Sequence, residues 1–595
     1  MLTYRPTTMP LPPLWNLLSR DAEAEARLVE ELRCSKVLAA LMIRRGLADP
    51  AAAKAWLEPS LADLEDPLAI IDMEAGAARL STAIRLKESV LIYGDYDVDG
   101  MTGTSLLVNF LSLAGAPVEW FIPDRKRDGY SFSGAVIDRF LARPTRPKVV
   151  VTVDHGTSAH EGIRRLSEAG IDVIVTDHHE PPPELPVGAV ALINPKRKEC
   201  TSRARDLCGA AVAFKLAWAT AQLHGGSKKV APEFRDFLVD AMGFVTLATI
   251  ADVVKLRGDN RALCSHGLRA IPHTKSKGLA ALLKSAGLEG QVIKARTVGF
   301  KIAPRLNAAA RLGRAEEVVT LLTTKDDAEA KRLADRLEKA NEERRAIDRV
   351  VLEDAERMLK RQGHIEGDAI CLGSKDWHSG VIGIVAARLV DRYHVPTLLI
   401  SLNGDEGRGS ARAPDGFNLK DALDDCAEHL VAWGGHAGAA GCTATESAFP
   451  ALAERFRAVA RKRAETSPLR PRWDLDYDLR LRDVTGGLIE ELDRLAPFGS
   501  GNPMPMFLFR GMKVAGVPTV VGEGRAHVQF MTTDGETAMR AIAFGAGPRL
   551  KDLESKGAIF CLAAHVKFDT FRAPGSVQLE VKDFRLDDGT LTWTP

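Results

Sequence analysis

Three aspartates at alternate positions, Asp95, Asp97 and Asp99, follow a short apolar run in the stretch LIYGDYDVDG, Leu91–Gly100. Carboxylates so close together repel one another and resist desolvation unless cations neutralise them. Similar polar clusters close three further apolar segments. Val149–Val153 runs into Asp154-His155-Gly156, Ile171–Thr176 into Asp177-His178-His179, and Val239–Ile250 into Ala251-Asp252. Taken singly, each is as readily a cap or a polar turn. Four such clusters within about 160 residues form a constellation. Carboxylates with one or two imidazoles suit Mn²⁺ or Mg²⁺ rather than a thiolate-bound metal. The chemistry such a site supports is metal-assisted phosphodiester hydrolysis. Two cations about 3.5–4 Å apart would acidify a water and stabilise charge on the phosphoryl oxygens.

The elements that must position these groups form a βαβ series beginning at about residue 71. Strands are expected at Ser89–Tyr93, Val118–Ile122, Lys148–Val153 and Val173–Thr176, with amphipathic helices between them and a helix over Ser105–Leu113. Such alternation predicts a parallel, doubly wound sheet, whose C-terminal strand ends are where ligands bind. Residues 1–70 read as a helical segment, with helices at Glu23–Cys34, Lys36–Arg45 and Pro50–Leu57. The catalytic α/β domain then covers 71–325.

A long charged helix follows over 326–365. Leu333, Leu337, Ala340, Ile347, Val351, Ala355 and Met358 give it one apolar stripe. In 366–468, a second α/β domain, Ala369–Leu372 and Thr397–Ile400 read as strands around a helix at Gly383–Val390. The run Gly407-Arg408-Gly409-Ser410-Ala411-Arg412 reads as a Gly/Arg turn with phosphate-binding chemistry, because arginine presents a fork to an oxyanion. Residues 469–595 are all-β. Lys513–Val521, Ala526–Thr532, Ala538–Phe544, Phe560–Phe568 and Ser576–Phe584 suggest a five-stranded OB barrel. Such a face can stack bases on aromatics beside cations. Phe530 and Phe568, with Arg525, Arg540, Lys567 and Arg572, are the candidates, although most of the phenylalanines fit a barrel core better. This region holds sixteen Lys or Arg against seventeen Asp or Glu, so composition establishes no basic face.

The 595 residues exceed one core, and 27% charged with 45% hydrophobic residues is ordinary for a soluble globular chain. No apolar run is long enough to span a membrane, and the first residues lack the regions of a secretory signal. Eight scattered cysteines without a Cys-x-x-Cys pair point to reduced cytoplasmic thiols rather than a zinc site. The net charge of +1 means that any nucleic-acid site is a local groove.

GDYDVDG, VDHG, TDHH and IADVV, in this order and spacing, resemble the metal motifs of the DHH phosphoesterase superfamily. Within it the chain is similar to the RecJ family of single-strand-specific 5′→3′ DNA exonucleases. Pro304–Arg311 (PRLNAAAR) resembles a further signature of that family. Trp377–Gly383, Gly409–Arg412 and Gly434-Gly435-His436 resemble its accessory DHHA1 domain. Leu495–Gly499 with Gly501-Asn502-Pro503 resembles the motif near its C-terminal OB domain. The resemblance implies Asp95 and Asp97 on a first Mn²⁺ or Mg²⁺ ion, and Asp99, His178 and Asp252 on a second. Asp154 would bridge them, His179 would face the scissile phosphate, and Asp177 would orient the imidazoles. It further implies substrate contacts from Arg125, Arg305, Asn307, Arg311, His378, Ser410, Arg412 and His436. The implied partners are single-stranded DNA, a single-strand-binding protein and a helicase, for a monomeric cytoplasmic enzyme of DNA repair and recombination.

There are departures. Tyr93 stands where some relatives place a ligating histidine, His155 where Cys or Asn is common, Ala310 for a frequent Gly, and Gly438 for a bulky apolar residue. Two other functions compete. A phosphodiesterase acting on small nucleotides would leave about 120 C-terminal residues without a purpose. A non-catalytic replication scaffold would not need the acidic cluster.

Overall fold

The structure, a computed structural model, describes residues 13–123, 132, 134–362, 369–402, 406–555, 557–569 and 575–587. They divide into two units. The first comprises Asp21–Asn341 with Thr485–Pro505, and the second the described residues of Met1–Arg20, Glu342–Val484 and Met506–Pro595.

The first unit is built on a five-stranded, all-parallel sheet. Its order is Val118–Phe121, Val90–Gly94, Val149–Val153, Asp172–Thr176, Ala191–Ile193. The central strands are buried along their whole length, as their unbroken Val/Ile runs require with helices on both faces. Strand order reverses between Val90–Gly94 and Val149–Val153, which creates a crevice at their carboxyl ends. The fifth strand, Ala191–Ile193, was not among the expected ones, being only three residues long. The helix after the aspartates begins at Val98 rather than Ser105 and is capped by Asp97. Thr102, Gly103 and Thr104 are buried packing residues within it. The helix Pro232–Ala251 ends at Asp252, its C-cap.

One helix, Asp327–Gln362, runs 36 residues without interruption. Ala330, Leu333, Ala334 and Leu337 enter the core of the first unit. Val351, Ala355 and Leu359 enter a core of the second with Trp377, Val385 and Leu389.

The second unit holds a five-stranded mixed sheet ordered Ala432–Gly435, Ala439–Thr445, Glu406–Arg412, Thr397–Ser401, Ile370–Ser374. The expected Gly/Arg turn is therefore a strand. Glycine suits it because a Cβ on Gly409 would lie 2.4 Å from Cys442 Sγ on the neighbouring strand. A closed barrel follows. Phe507–Val521 pairs with His527–Thr533 by its second half and with Phe560–Phe568 by its first, while Ala538–Ala543 and Val577–Leu586 complete the circuit. The first barrel strand starts at Phe507, before the expected Lys513, and is interrupted by irregularities between Phe509 and Met512 and between Ala515 and Thr519. Leu14–Leu17, expected within a helical segment, is a strand parallel to Arg472–Leu475. Trp15 packs beside Leu475, Leu508 and Cys561, and its Nε1 donates to Asp583 at 2.9 Å.

Candidate metal centre

The four polar clusters meet at the reversal point of the parallel sheet. Asp95, Asp97 and Asp154 each offer an oxygen within 4.8 Å of the other two. Carboxylate oxygens and imidazole nitrogens of Asp99, His178 and Asp252, and of Asp154, His178 and His179, lie equally close within each set. His178 Nε2 lies 3.1 Å from Asp154 Oδ1, 3.6 Å from Asp252 Oδ2 and 3.7 Å from Asp99 Oδ2.

Each acid is placed by its element. Asp97 caps the helix Val98–Leu113 and accepts from the Gly100 amide at 3.1 Å. Asp99 is buried at the start of that helix and accepts from the amides of Gly209 and Ala210 at 2.7 and 2.6 Å. Those amides open the helix Gly209–His224, so a helix N-terminus faces the carboxylate. Position 209 must be glycine, since a Cβ there would meet Asp154 Cβ at 2.5 Å. Asp154 itself adopts a left-handed φ of 67°, which Asp tolerates better than most residues, and turns the chain at the strand end.

Burial and mutual repulsion raise the acids. Asp95 is pushed up to about 7 by burial and by Asp97, and Asp252 to about 6 for the same two reasons. Burial, then the neighbouring aspartates, holds Asp99 and Asp154 well above their ordinary values. Asp177 behaves oppositely. Burial would raise it, but the His179 side chain and the Thr157 amide, which donates at 2.9 Å, hold it well below its usual range. The amides of His178 and His179 also donate to its Oδ1, at 2.7 and 3.1 Å. His179 Nδ1 lies 2.8 Å from the same oxygen, and that bond raises its imidazole to about 9. Burial lowers His178 to about 4, leaving it neutral at pH 7.

The donor set fits two hard divalent cations. Asp154 Oδ1 is buried without a hydrogen-bond partner among the described residues, at the point shared by two of the three groups. Four carboxylates raised by crowding are relieved by cations, and oxygen donors with one neutral imidazole match Mn²⁺ or Mg²⁺. Tyr93 is not part of this set. Its ring is fully buried against Phe121, Phe132 and Phe140, with ring centroids 4.8–5.9 Å away. His155 packs beside it and its Nε2 lies 2.9 Å from the Tyr93 carbonyl oxygen; burial lowers the imidazole to about 4.

The remaining candidates scatter. Arg305 is buried and committed to Glu338 and to the Lys301 carbonyl, so its guanidinium serves packing rather than a ligand. Asn307 and Arg311 sit four residues apart on the helix Ala303–Arg311, both half-buried. His378 is half-buried in the turn before Ile382–Tyr393, and its Nδ1 accepts from the Gly380 amide at 3.1 Å. His436 is exposed in the hairpin between Ala432–Gly435 and Ala439–Thr445. Arg125 lies outside the described residues, as does Arg572 of the barrel set. Ser410 and Arg412 share one face of their strand, and the guanidinium donates to Ser410 Oγ at 3.2 Å. A Cβ on Gly383 would come within 2.8 Å of Ser410 Oγ, so the first turn of Ile382–Tyr393 lies against both residues. Burial lowers Arg412, and no carboxylate pairs with it among the described residues.

Sequence reasoning missed Asn194 and Thr157. Asn194, fully buried after the short fifth strand, donates to Thr157 Oγ1 at 2.9 Å and to the His179 carbonyl at 2.8 Å. An Asn following the apolar run Ala189–Ile193 was the available signal.

Comparison with known proteins is consistent with this geometry. Residues 89–242 match the model of the DHH family, N-terminal domain, 367–462 that of the DHHA1 domain, and 475–583 that of the RecJ OB domain. The chain is 32% identical to the single-stranded-DNA-specific exonuclease RecJ of Bacillus subtilis, over 97% of this chain and 71% of that protein. Its structure is similar to RecJ of Thermus thermophilus in complex with Mn²⁺, with a TM-score of 0.79 and 31% identity over 96% of this chain and 79% of that one. The Mg²⁺ complex of the same protein matches at 0.74 and 30%, over 96% and 78%.

Proposed function

Because the chain belongs to the RecJ family of single-stranded-DNA-specific exonucleases, we propose that it degrades single-stranded DNA from the 5′ end to 5′-mononucleotides. The observation that carries this reading is the convergence of Asp95, Asp97 and Asp154 with Asp99, His178 and Asp252, the two sets joined where His178 Nε2 lies 3.1 Å from Asp154 Oδ1. Asp95 and Asp97 would hold one Mn²⁺ or Mg²⁺ ion, Asp99, His178 and Asp252 a second, and Asp154 both. When bound, such a pair supplies a more acidic water and neutralises charge developing on the phosphoryl oxygens.

The chain's own residues do the rest. Asp177 fixes the imidazole of His179 through Nδ1 and keeps it protonated, so the half-exposed ring can donate from Nε2 to a phosphate oxygen. Thr157 and Asn194 hold Asp177 and the His179 backbone in turn. Neutral His178 leaves its Nε2 lone pair for a ligand role. Ser410 and Arg412, desolvated beside a helix N-terminus, have the chemistry to take a terminal 5′-phosphate; Arg125 is proposed as a substrate contact on the family resemblance. Asn307, Arg311, His378 and His436 would contact the nucleotide strand; Arg305 is assigned to the fold instead. The enzyme acts as a cytoplasmic monomer on strands opened by a helicase and covered by a single-strand-binding protein. No helix of the described residues is long and apolar enough to cross a membrane.

The test is Mn²⁺-dependent release of mononucleotides from 5′-phosphorylated single strands, against blunt duplex and linear or cyclic dinucleotides. Release confined to the single strand and abolished by chelator is expected. Faster hydrolysis of dinucleotides than of the strand would replace this reading with a small-nucleotide phosphodiesterase.

A further inference from the structure

Val253, next to the ligand candidate Asp252, has φ of 59° and is two-thirds exposed. A β-branched residue in the left-handed region is strained, and such strain persists only where surrounding contacts over-determine it. Here those contacts come from residues almost 250 positions later in the chain. Leu256 N–H donates to the Ser500 carbonyl at 2.9 Å, and Arg257 Nε to the Gly501 carbonyl at 3.2 Å. Gly499 admits Leu256 beneath it, since a Cβ there would lie 2.8 Å from Leu256 Cδ1.

The segment is itself pinned. Asn502 is fully buried; its Nδ2 donates to the carbonyls of Leu495 and Pro497, both at 2.8 Å, and its Oδ1 accepts from Arg45 Nε at 2.8 Å. Arg261, buried on the helix Gly258–Ala270, donates to the carbonyls of Leu495 and Ala496 at 2.9 Å each. From inside, Asn260 Nδ2 donates to the Lys255 carbonyl at 3.0 Å. The turn 253–257 is therefore held on two sides, and the strained residue is the one adjoining Asp252.

We infer that Leu495–Asn502 is a clamp, with Asn502 as its positioning residue, that holds the turn after Asp252 in a strained conformation and so aims that carboxylate at the second cation. The inference rests on the metal-site reading above. Without the clamp, Val253 relaxes to negative φ and the end of the helix carrying Asp252 changes direction. Glycine at 253 adopts positive φ without cost and would need no clamp.

The experiment measures Mn²⁺ affinity by calorimetry on the full chain, with thermal unfolding alongside. Asn502→Ala should weaken Mn²⁺ binding about tenfold, as loss of an outer partner of a ligand does. Val253→Gly alone should leave affinity unchanged, and the double variant Asn502→Ala/Val253→Gly should regain the wild-type value while keeping the lowered melting temperature of Asn502→Ala. A role confined to folding would not give that separation. Unchanged affinity in Asn502→Ala, or a loss that Val253→Gly fails to restore, overturns the clamp. If Asn502→Ala does not fold, Gly499→Ala, which presses on Leu256, decides by the same two readouts. Absence of Mn²⁺ binding in the wild-type chain would instead overturn the metal site itself.

Discussion

In the metal centre, burial and crowding push Asp95, Asp99, Asp154 and Asp252 above their ordinary range, and one buried oxygen of Asp154 has no hydrogen-bond partner among the described residues. The barrel treats its buried charge differently. Against the pull of burial, Lys567 and Lys582, at 2.6 and 2.7 Å, hold Glu580 down to about 2. Arg540 pairs with Asp569, and Arg549 with Asp583. Charge left uncompensated marks a place that a ligand completes, whereas charge matched inside the fold leaves little to offer a phosphate backbone. Of the sequence-derived barrel contacts, Arg540 and Lys567 are paired in this way and Phe530 is core. Arg525 is exposed and Phe568 half-buried; a residue outside that set, Phe544, is half-exposed, with Lys567 Nζ 5.6 Å from its ring centre.

The sharpest way to break this comparison is Asp154→Asn, which keeps the size and the tolerance of a left-handed φ. Activity on single-stranded DNA should fall more than about 100-fold while the melting temperature holds or rises, because one repelling charge is gone. Activity above a few per cent of wild type would show that Asp154 is not shared between cations.

Proton competition separates the two regions by pH. Asp252 and Asp95, raised to about 6 and 7, must lose protons to bind a cation, whereas His178, lowered to about 4, is already neutral. Mn²⁺ affinity should rise as pH goes from 5 to 8, by up to about tenfold per unit for each competing proton. Glu580 is ionised throughout that window. Its depressed value stabilises the fold fully above the unfolded carboxylate range and is lost only as pH falls toward about 2, so barrel stability should not change with the metal affinity. Parallel titrations of Mn²⁺ binding and thermal unfolding check both halves.

Arg412→Ala should slow a 5′-phosphorylated strand about 10- to 100-fold more than the same strand with a 5′-hydroxyl, the worth of one or two charge-assisted bonds. Equal slowing of both would remove the end-recognition role. The smallest effect is expected in the barrel. Phe544→Ala should weaken binding of long single strands by about 1 kcal/mol, the lower end for one stacked base, with short oligonucleotides unaffected. Fluorescence anisotropy at fixed salt measures it, and no change on long strands would remove the stacking role of Phe544.

The acidic ligand candidates were legible because each follows a buried apolar run, and strand ends at a chain reversal must converge. Asn194 was not, because a three-residue strand carries almost no periodic signal. Arg305 misled for a different reason. Its type and motif suit a phosphate, and nothing local announces that Glu338, 33 residues on, takes its guanidinium. The strand Glu406–Arg412 was hidden by glycines whose reason lies in a neighbour's side chain. The resemblance to known motifs marked Asn502 and its neighbours as a signature without saying what they grip.

The pairing of Leu14–Leu17 with Arg472–Leu475 sets an order of events on the ribosome. At about 5–20 residues added per second, the earlier strand waits roughly 20 to 90 seconds for its partner to be made. Through that interval Trp15 has neither Leu475 beside it nor Asp583 to bond, while the first parallel sheet can already close. The strand Leu14–Leu17 is thus among the last of the described elements to find its partner.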